Sequence, residues 1–301
     1  MGTEQVSFDQ AGQPHAGRWP QPSASTLKLG PYSFDIARRP LIMGILNRTP
    51  DSFFDQGRYF SFDAFLRRAD QLAREGADIF DVGGVKAGPG EPVSEEEELE
   101  RVIPAIEALV ERFEIPVSVD TWRAGVAKAA FEAGAVLGND ISGLADPAYA
   151  KAAAEAGAGV VVCHIRLAPR VPDPEPHYED LVREVSSFLA SKAASAVACG
   201  VDPRSIVVDA GLDLGKTPSQ SLELLRASPR LASLGYPLLL SASNKRFLGD
   251  LLGLDISKRG PASLAAAALG IWWGCRILRV HDVRATRQAA SVAEAVFNNQ
   301  P

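Results

Sequence analysis

The sequence of 301 residues predicts an α/β chain folded as a (β/α)8 TIM barrel behind a short N-terminal β-hairpin. Three observations predict it. Eight short apolar runs recur after residue 40, each closing on a polar residue. Helix-like segments alternate with those runs, the βα repeat of a parallel sheet rather than the hairpin repeat of a sandwich. The repeat also runs on for about 260 residues with no linker, close to the usual length of one closed barrel. An open doubly wound sheet is the competing architecture, but it rarely needs so many regular units. Residues 26–301 are therefore expected to form a single barrel domain.

Residues 1–25 hold Gln, Pro, Gly, Ser and His without an apolar core, so a disordered tail is expected and not a secretory signal. Residues 26–36 alternate on both sides of Gly30-Pro31, which predicts the hairpin. Strands are expected at 41–46, 77–80, 115–119, 135–137, 159–163, 205–208, 237–240 and 276–280. Between them, residues 62–75 carry Phe62, Phe65, Leu66, Ala69, Leu72 and Ala73 at helical spacing. Ser94-Glu-Glu-Glu97 is a capping box that opens a helix running to about Arg112. Helices 122–133, 148–156 and 178–199 each stop at a glycine. Helices 220–225, 245–252, 262–273 and 285–297 complete the set.

Composition narrows the function. Lys+Arg is 31 against 37 Asp+Glu, a net charge of −6, and no basic run occurs, so a nucleic-acid partner is not expected. The longest apolar stretch, 264–275, is too short to span a bilayer, so no membrane partner is expected either. Cys163, Cys199 and Cys275 lie far apart and form no CxxC, which excludes a disulfide framework and a zinc knuckle and suits a cytoplasmic location.

In a barrel of this kind chemistry sits at the C-terminal ends of the strands. The residues closing the runs are Asn47, Asp81, Asp120, Asn139-Asp140, His164, Asp209, Ser243 with Lys245 beyond it, and Arg279 with His281. Singly, an Asp such as Asp81 or Asp140 caps the next helix more often than it binds a ligand. As a ring around one mouth they need another explanation. Carboxylates and amides suit a flat heterocycle that offers N–H donors, because a carboxylate accepts two parallel hydrogen bonds. Arg279 and His281, together with amides at helix starts, suit a phosphate or pyrophosphate. Gly215-Lys216-Thr217 is not a P-loop, since the glycine needed at position 210 is Ala. Trp272 and Trp273 read as core or dimer contacts, and His15 and His177 as solvated side chains.

Met43-Gly-Ile-Leu-Asn-Arg-Thr-Pro-Asp-Ser-Phe53 closely resembles the opening signature of dihydropteroate synthases. Asp81-Val-Gly-Gly84, Ser118-Val-Asp-Thr121, Asn139-Asp-Ile-Ser142, Asp209-Ala-Gly211 with Leu214-Gly-Lys216, and Arg279-Val-His-Asp282 follow in the family's order. The resemblance implies a barrel, usually a homodimer, that joins 6-hydroxymethyl-7,8-dihydropterin pyrophosphate to p-aminobenzoate and releases pyrophosphate with Mg2+ in folate biosynthesis. It implies that Asp120, Asn139, Asp209 and Lys245 hold the pterin, with Lys216 and Ser243 as further substrate contacts. Asn47, Arg279 and His281 would hold the pyrophosphate, Asn47 its metal as well, and Asp51 would order over the substrate. By the same resemblance Asp51, Lys245, Arg279 and His281 are the catalytic set.

The departures gather on the second substrate. The family's Gly-Gly-Glu-Ser-Thr-Arg-Pro-Gly is here Gly83-Gly-Val-Lys-Ala-Gly-Pro-Gly90, and Ser-Arg-Lys-Ser is Ser243-Asn-Lys-Arg246. The family's Gly-Phe pair is Asp213-Leu214, and its Met-His-Met is Cys163-His-Ile165. This pattern resembles the second dihydropteroate-synthase-like protein of actinobacteria. Two alternatives to the synthase reading follow: a pterin-binding paralogue without synthase activity, and a barrel repurposed for another reaction in specialised metabolism.

Overall fold

Residues 26–36 form β1 (Thr26–Leu29) and β2 (Tyr32–Asp35), antiparallel across the Gly30-Pro31 turn. The computed structural model describes residues 25–48, 62–88 and 90–298; the expected tail, apart from Ser25, and Asp51 lie outside them. The expected strands follow as β3 (Leu41–Asn47), β4 (Ile79–Gly83), β5 (Val117–Asp120), β6 (Leu137–Asp140), β7 (Gly159–Cys163), β8 (Ile206–Asp209), β9 (Leu238–Leu240) and β10 (Cys275–Val280). They pair in parallel in chain order, and β10 closes on β3 to complete the barrel.

Ten α-helices wrap it among the described residues: α1 (Phe62–Glu75), α2 (Glu95–Arg112), α3 (Ala124–Glu132), α4 (Pro147–Glu155), α5 (Leu181–Ala198), α6 (Pro218–Arg226), α7 (Ser228–Ala232), α8 (Arg246–Leu252), α9 (Gly260–Trp272) and α10 (Val283–Asn298). Local chemistry sets their starts. Ser94 Oγ accepts from Glu97 N at 3.1 Å at the head of α2, but the Glu97 carboxylate turns to Arg101 instead of back to the cap. The reciprocal capping box forms on α6, where Thr217 and Gln220 bond each other's backbone and Pro218 fills the first turn. That helix starts two residues before the sequence expectation of 220, and the five-residue α7 lies between the expected helices.

Side chains alternate along each strand between two cores. Outward residues such as Ile42, Phe80, Val119, Val162, Val208 and Leu278 pack beneath the helices. Inward residues Met43, Ile79, Leu137, Val161, Val207, Leu239 and Ile277 form a second apolar cluster with Leu27 and Leu29 of the hairpin. The hairpin therefore plugs the N-terminal end of the barrel. Two residues further along, the same inward face turns polar: Ile79 gives way to Asp81, Leu137 to Asn139, Val207 to Asp209 and Ile277 to Arg279. Strand periodicity alone thus carries these groups into one layer at the open mouth.

The strand bounds differ from expectation where this layer begins. β4 runs past Asp81 to Gly83, and β6 runs through Asn139 and Asp140, instead of ending at 80 and 137. A drop in hydropathy reads as a strand end in sequence, but in a barrel mouth it marks inward groups that are paired with one another.

Candidate active site

Arg279 lies at the centre of the polar layer. Its Nε is 2.6 Å from Asp81 Oδ2 and its Nη2 is 2.5 Å from Asp120 Oδ2. Asn139 Nδ2 donates to Asp81 Oδ2 at 3.3 Å and, more weakly, to Oδ1 at 3.5 Å. Asp81 is fully buried, so this ion pair is shielded from the solvent screening that makes surface bridges weak. Burial works against the Arg279 charge, but Asp81 and Asp120 outweigh it and raise its pKa. Burial also pushes the Asp120 carboxyl up to about 7, against the pull of Arg279 and with a further push from Asp81. Asn47 and Asp120 flank Gly83: a Cβ there would lie 3.2 Å from Asn47 Oδ1 and 3.5 Å from Asp120 Oδ2.

A second group gathers after β8. Asp209 Oδ1 accepts from Gly211 N at 2.8 Å, while Oδ2 has no hydrogen-bond partner among the described residues. Burial raises the Asp209 pKa, and Lys245 and Arg279 oppose it, so Asp209 senses the first group. Gly211 has φ 64°, and a Cβ there would fall 1.9 Å from the carbonyl oxygen of His164. Only glycine lets the turn after β8 press on the end of β7. Lys245, at the N-cap of α8, donates from Nζ to Leu212 O at 2.6 Å. Lys216 is buried; its Nζ is 3.0 Å from His164 Nδ1, 3.0 Å from Leu214 O and 3.3 Å from His164 O. Burial lowers the Lys216 pKa to about 7, and burial with the Lys216 charge lowers His164 to about 3.

A third contact joins Ser243 to His281, with Oγ 3.0 Å from Nδ1 and accepting from His281 N at 3.2 Å. Desolvation of the ring among its neighbours, then Arg279 and Arg68, lower the His281 pKa to about 4. Asp140 keeps the plainer reading. Its carboxylate accepts from Ser142 N at 2.6 Å and Leu144 N at 2.9 Å and anchors the turn after β6. Asp81, expected in the ring at the mouth but not named among the candidate site residues, is the one that bridges Arg279 and Asn139. The signal for its pairing with Arg279 is its two-residue offset from Ile79, which puts it on the inward face.

Beside these groups opens a cavity of about 460 Å3, walled by the loops after β4, β7 and β8 and by the start of α8. The β4 loop is held at both ends: Arg101 Nη1 donates to Gly84 O at 2.7 Å, and Arg123 Nη2 to Val93 O at 2.6 Å. Below Arg123 lies the fully buried Glu98, paired with its Nη1.

Asn139, Asp81, Arg279 and Asp120 are thus joined in one chain of contacts, and Asp209, Lys245 and Lys216 surround the neighbouring turn. A flat polar ring could exchange hydrogen bonds with these carboxylates and the amide, with the cavity open beside it. The sequence profile of a family described as "Pterin binding enzyme" matches residues 43–281, from within β3 to just past β10. The chain belongs to the pterin-binding enzyme family. It is 41% identical over 270 residues to the dihydropteroate synthase of Bacillus subtilis, covering 89% of this chain and 92% of that protein. It is 44% identical over 275 residues to the inactive dihydropteroate synthase 2 of Mycobacterium leprae, covering 88% and 93%. Among solved structures of pterin-binding enzymes, the dihydropteroate synthase of Xanthomonas albilineans with 4-aminobenzoic acid superposes with a TM-score of 0.84 at 40% identity, covering 91% of this chain and 98% of that one. The same enzyme in complex with 7,8-dihydropteroate gives a TM-score of 0.81, covering 90% and 98%. No helix among the described residues is long and apolar enough to cross a membrane.

Proposed function

We propose that this chain is a dihydropteroate-synthase-like transferase of folate biosynthesis, with residues 26–301 as one pterin-binding domain. It condenses 6-hydroxymethyl-7,8-dihydropterin pyrophosphate with p-aminobenzoate or another amine. The observation that carries the reading is the Asp81–Arg279–Asp120 cluster built on the fully buried Asp81, with Asn139 bonded to it and the unpartnered oxygen of Asp209 nearby. Asp120, Asn139 and Asp209 would take the pterin edge, with Lys245, Lys216 and Ser243 completing its surroundings. In the reaction the C–O bond between the pterin methylene and pyrophosphate breaks, and its electron pair leaves with the pyrophosphate. The neutral amine forms the C–N bond and then releases a proton, so positioning and charge stabilisation do most of the catalysis.

Arg279 and His281 would meet the leaving pyrophosphate, and Asp51 would order over the substrate. The family implies Mg2+, and one donor fits. Asn47 offers a hard carbonyl oxygen beside Asp120, and Mg2+ characteristically keeps several waters and takes only one or two protein oxygens with its substrate phosphates. When bound, it would neutralise charge on the pyrophosphate. A cytoplasmic location suits the three free cysteines. A homodimer is supported by exposed apolar side chains on neighbouring helices, including Leu269 and Trp272 on α9 and Val292 and Val296 on α10.

The test is pyrophosphate release. The protein with Mg2+ and the pterin pyrophosphate should release pyrophosphate when p-aminobenzoate or an uncharged analogue is added. A second reading, a pterin-binding paralogue without turnover, is favoured by the rewritten cavity loops and the 44% identity to the inactive synthase 2. Pterin binding with no release from any arylamine would select it.

A further inference from the structure

The cavity beside the strand tips has apolar walls from Ile165, Ala168, Pro174 and Leu214, wide enough at about 460 Å3 for a small aromatic amine. Asp213 forms part of its wall. That residue holds φ 66°, and its carboxylate is already engaged inside the protein. Oδ2 accepts from Arg246 N at 2.6 Å, both oxygens lie 3.3 Å from Phe247 N, and Ser221 Oγ donates to Oδ1 at 3.3 Å. The first amides of α8 are therefore satisfied by the protein's own carboxylate.

The cations on the cavity wall are engaged as well. Arg246 shares the cavity wall with Asp250, its Nε 3.0 Å from Asp250 Oδ2. Arg170 donates from Nη2 to Glu91 O at 2.6 Å. Lys216 is spent on His164 and two carbonyls, and burial lowers its pKa to about 7. Asp173 adds a further carboxylate, itself paired with Arg166 at 2.5 Å. A carboxylate carried on the far end of an acceptor would meet Asp213 in place of a free donor, and like charges in a half-buried wall repel strongly.

We propose that this cavity takes an uncharged arylamine, and that Asp213 is the specificity-determining residue that bars carboxylated acceptors. The proposal rests on the transferase reading above. It is an instance of selectivity by exclusion, in which a fixed repulsive group rejects the competing ligand. Substitution at Asp213 is tolerable for the backbone, because glycine adopts positive φ freely and asparagine does so more readily than other residues.

The experiment is titration calorimetry on the full chain loaded with 6-hydroxymethylpterin, which lacks the pyrophosphate leaving group and cannot react. The probes are p-aminobenzoate and the uncharged p-aminobenzamide. The unmodified protein should bind the amide at least about tenfold more tightly than the acid. Asp213→Gly and Asp213→Asn should both erase that preference, the second because it removes the charge while keeping the shape and one acceptor. Equal affinities in the unmodified protein, an unchanged preference in both variants, or no binding of either arylamine would overturn the proposal. So would loss of p-aminobenzoate binding in Arg246→Ala with Asp213→Gly silent, which would make Arg246 the carboxylate's seat. Failure of the pterin itself to bind is read separately, in the first titration, and would remove the transferase reading instead.

Discussion

Arg279→Met is expected to destabilise the folded protein by about 3–5 kcal/mol, the usual cost of leaving a buried charge without its partner. Asp81 is fully buried, and Arg279 Nε at 2.6 Å is its main neutralising contact. Asn139 cannot take over, because its two bonds to Asp81 are 3.3 and 3.5 Å long and carry no charge. Asp120 loses its 2.5 Å contact at the same time, but protonation relieves it, since its pKa already stands near about 7. A chain of this size should lose roughly 10 °C in melting temperature for such a change. Arg279→Met combined with Asp81→Asn should recover most of the loss, since the unpaired charge is then gone. A loss below about 1 kcal/mol in the single variant would mean that the pair behaves as a solvated surface bridge.

Asp209→Ala is expected to weaken binding of the pterin pyrophosphate at least about 100-fold, or about 2.7 kcal/mol. The carboxylate is only 6% exposed, and one oxygen is fixed by Gly211 N at 2.8 Å. The other oxygen has no partner among the described residues, and on the proposed function it accepts from the pterin. A hydrogen bond to a charged group contributes roughly 1.5–3 kcal/mol, and a bidentate contact more than one bond. Asp209→Asn separates binding from folding. It keeps the bond to Gly211 but presents an NH2 group to the ring, so stability should hold while affinity falls. A change under about threefold in both variants would leave Asp209 as a turn-former only.

Much of this was legible from the sequence because barrel strands report themselves twice, through apolar runs and through a polar residue at each end. The eight strands, their order and the hairpin all follow from that pattern, and so does the ring of groups at the mouth. Asp140 kept its plain role as a turn anchor, for the ordinary reason that an Asp after a strand bonds nearby amides. Asp81 is legible as a member of the ring, but its ion pair with Arg279 is not, because the two lie 198 positions apart. The Lys216–His164 contact joins residues 52 positions apart, and nothing local in either segment announces it. Asp213 stood out in sequence only as a departure from the family, and its engagement with the α8 amides depends on a positive φ that sequence does not display.

The strand-tip carboxylates are central to the reading, and calorimetry of the unmodified protein with 6-hydroxymethyl-7,8-dihydropterin pyrophosphate tests them most directly, with Asp120→Ala alongside. Saturable binding to the unmodified protein, displaced by the unphosphorylated pterin and lost in Asp120→Ala, is the expected result. No saturable heat, or undiminished binding in Asp120→Ala, would contradict it.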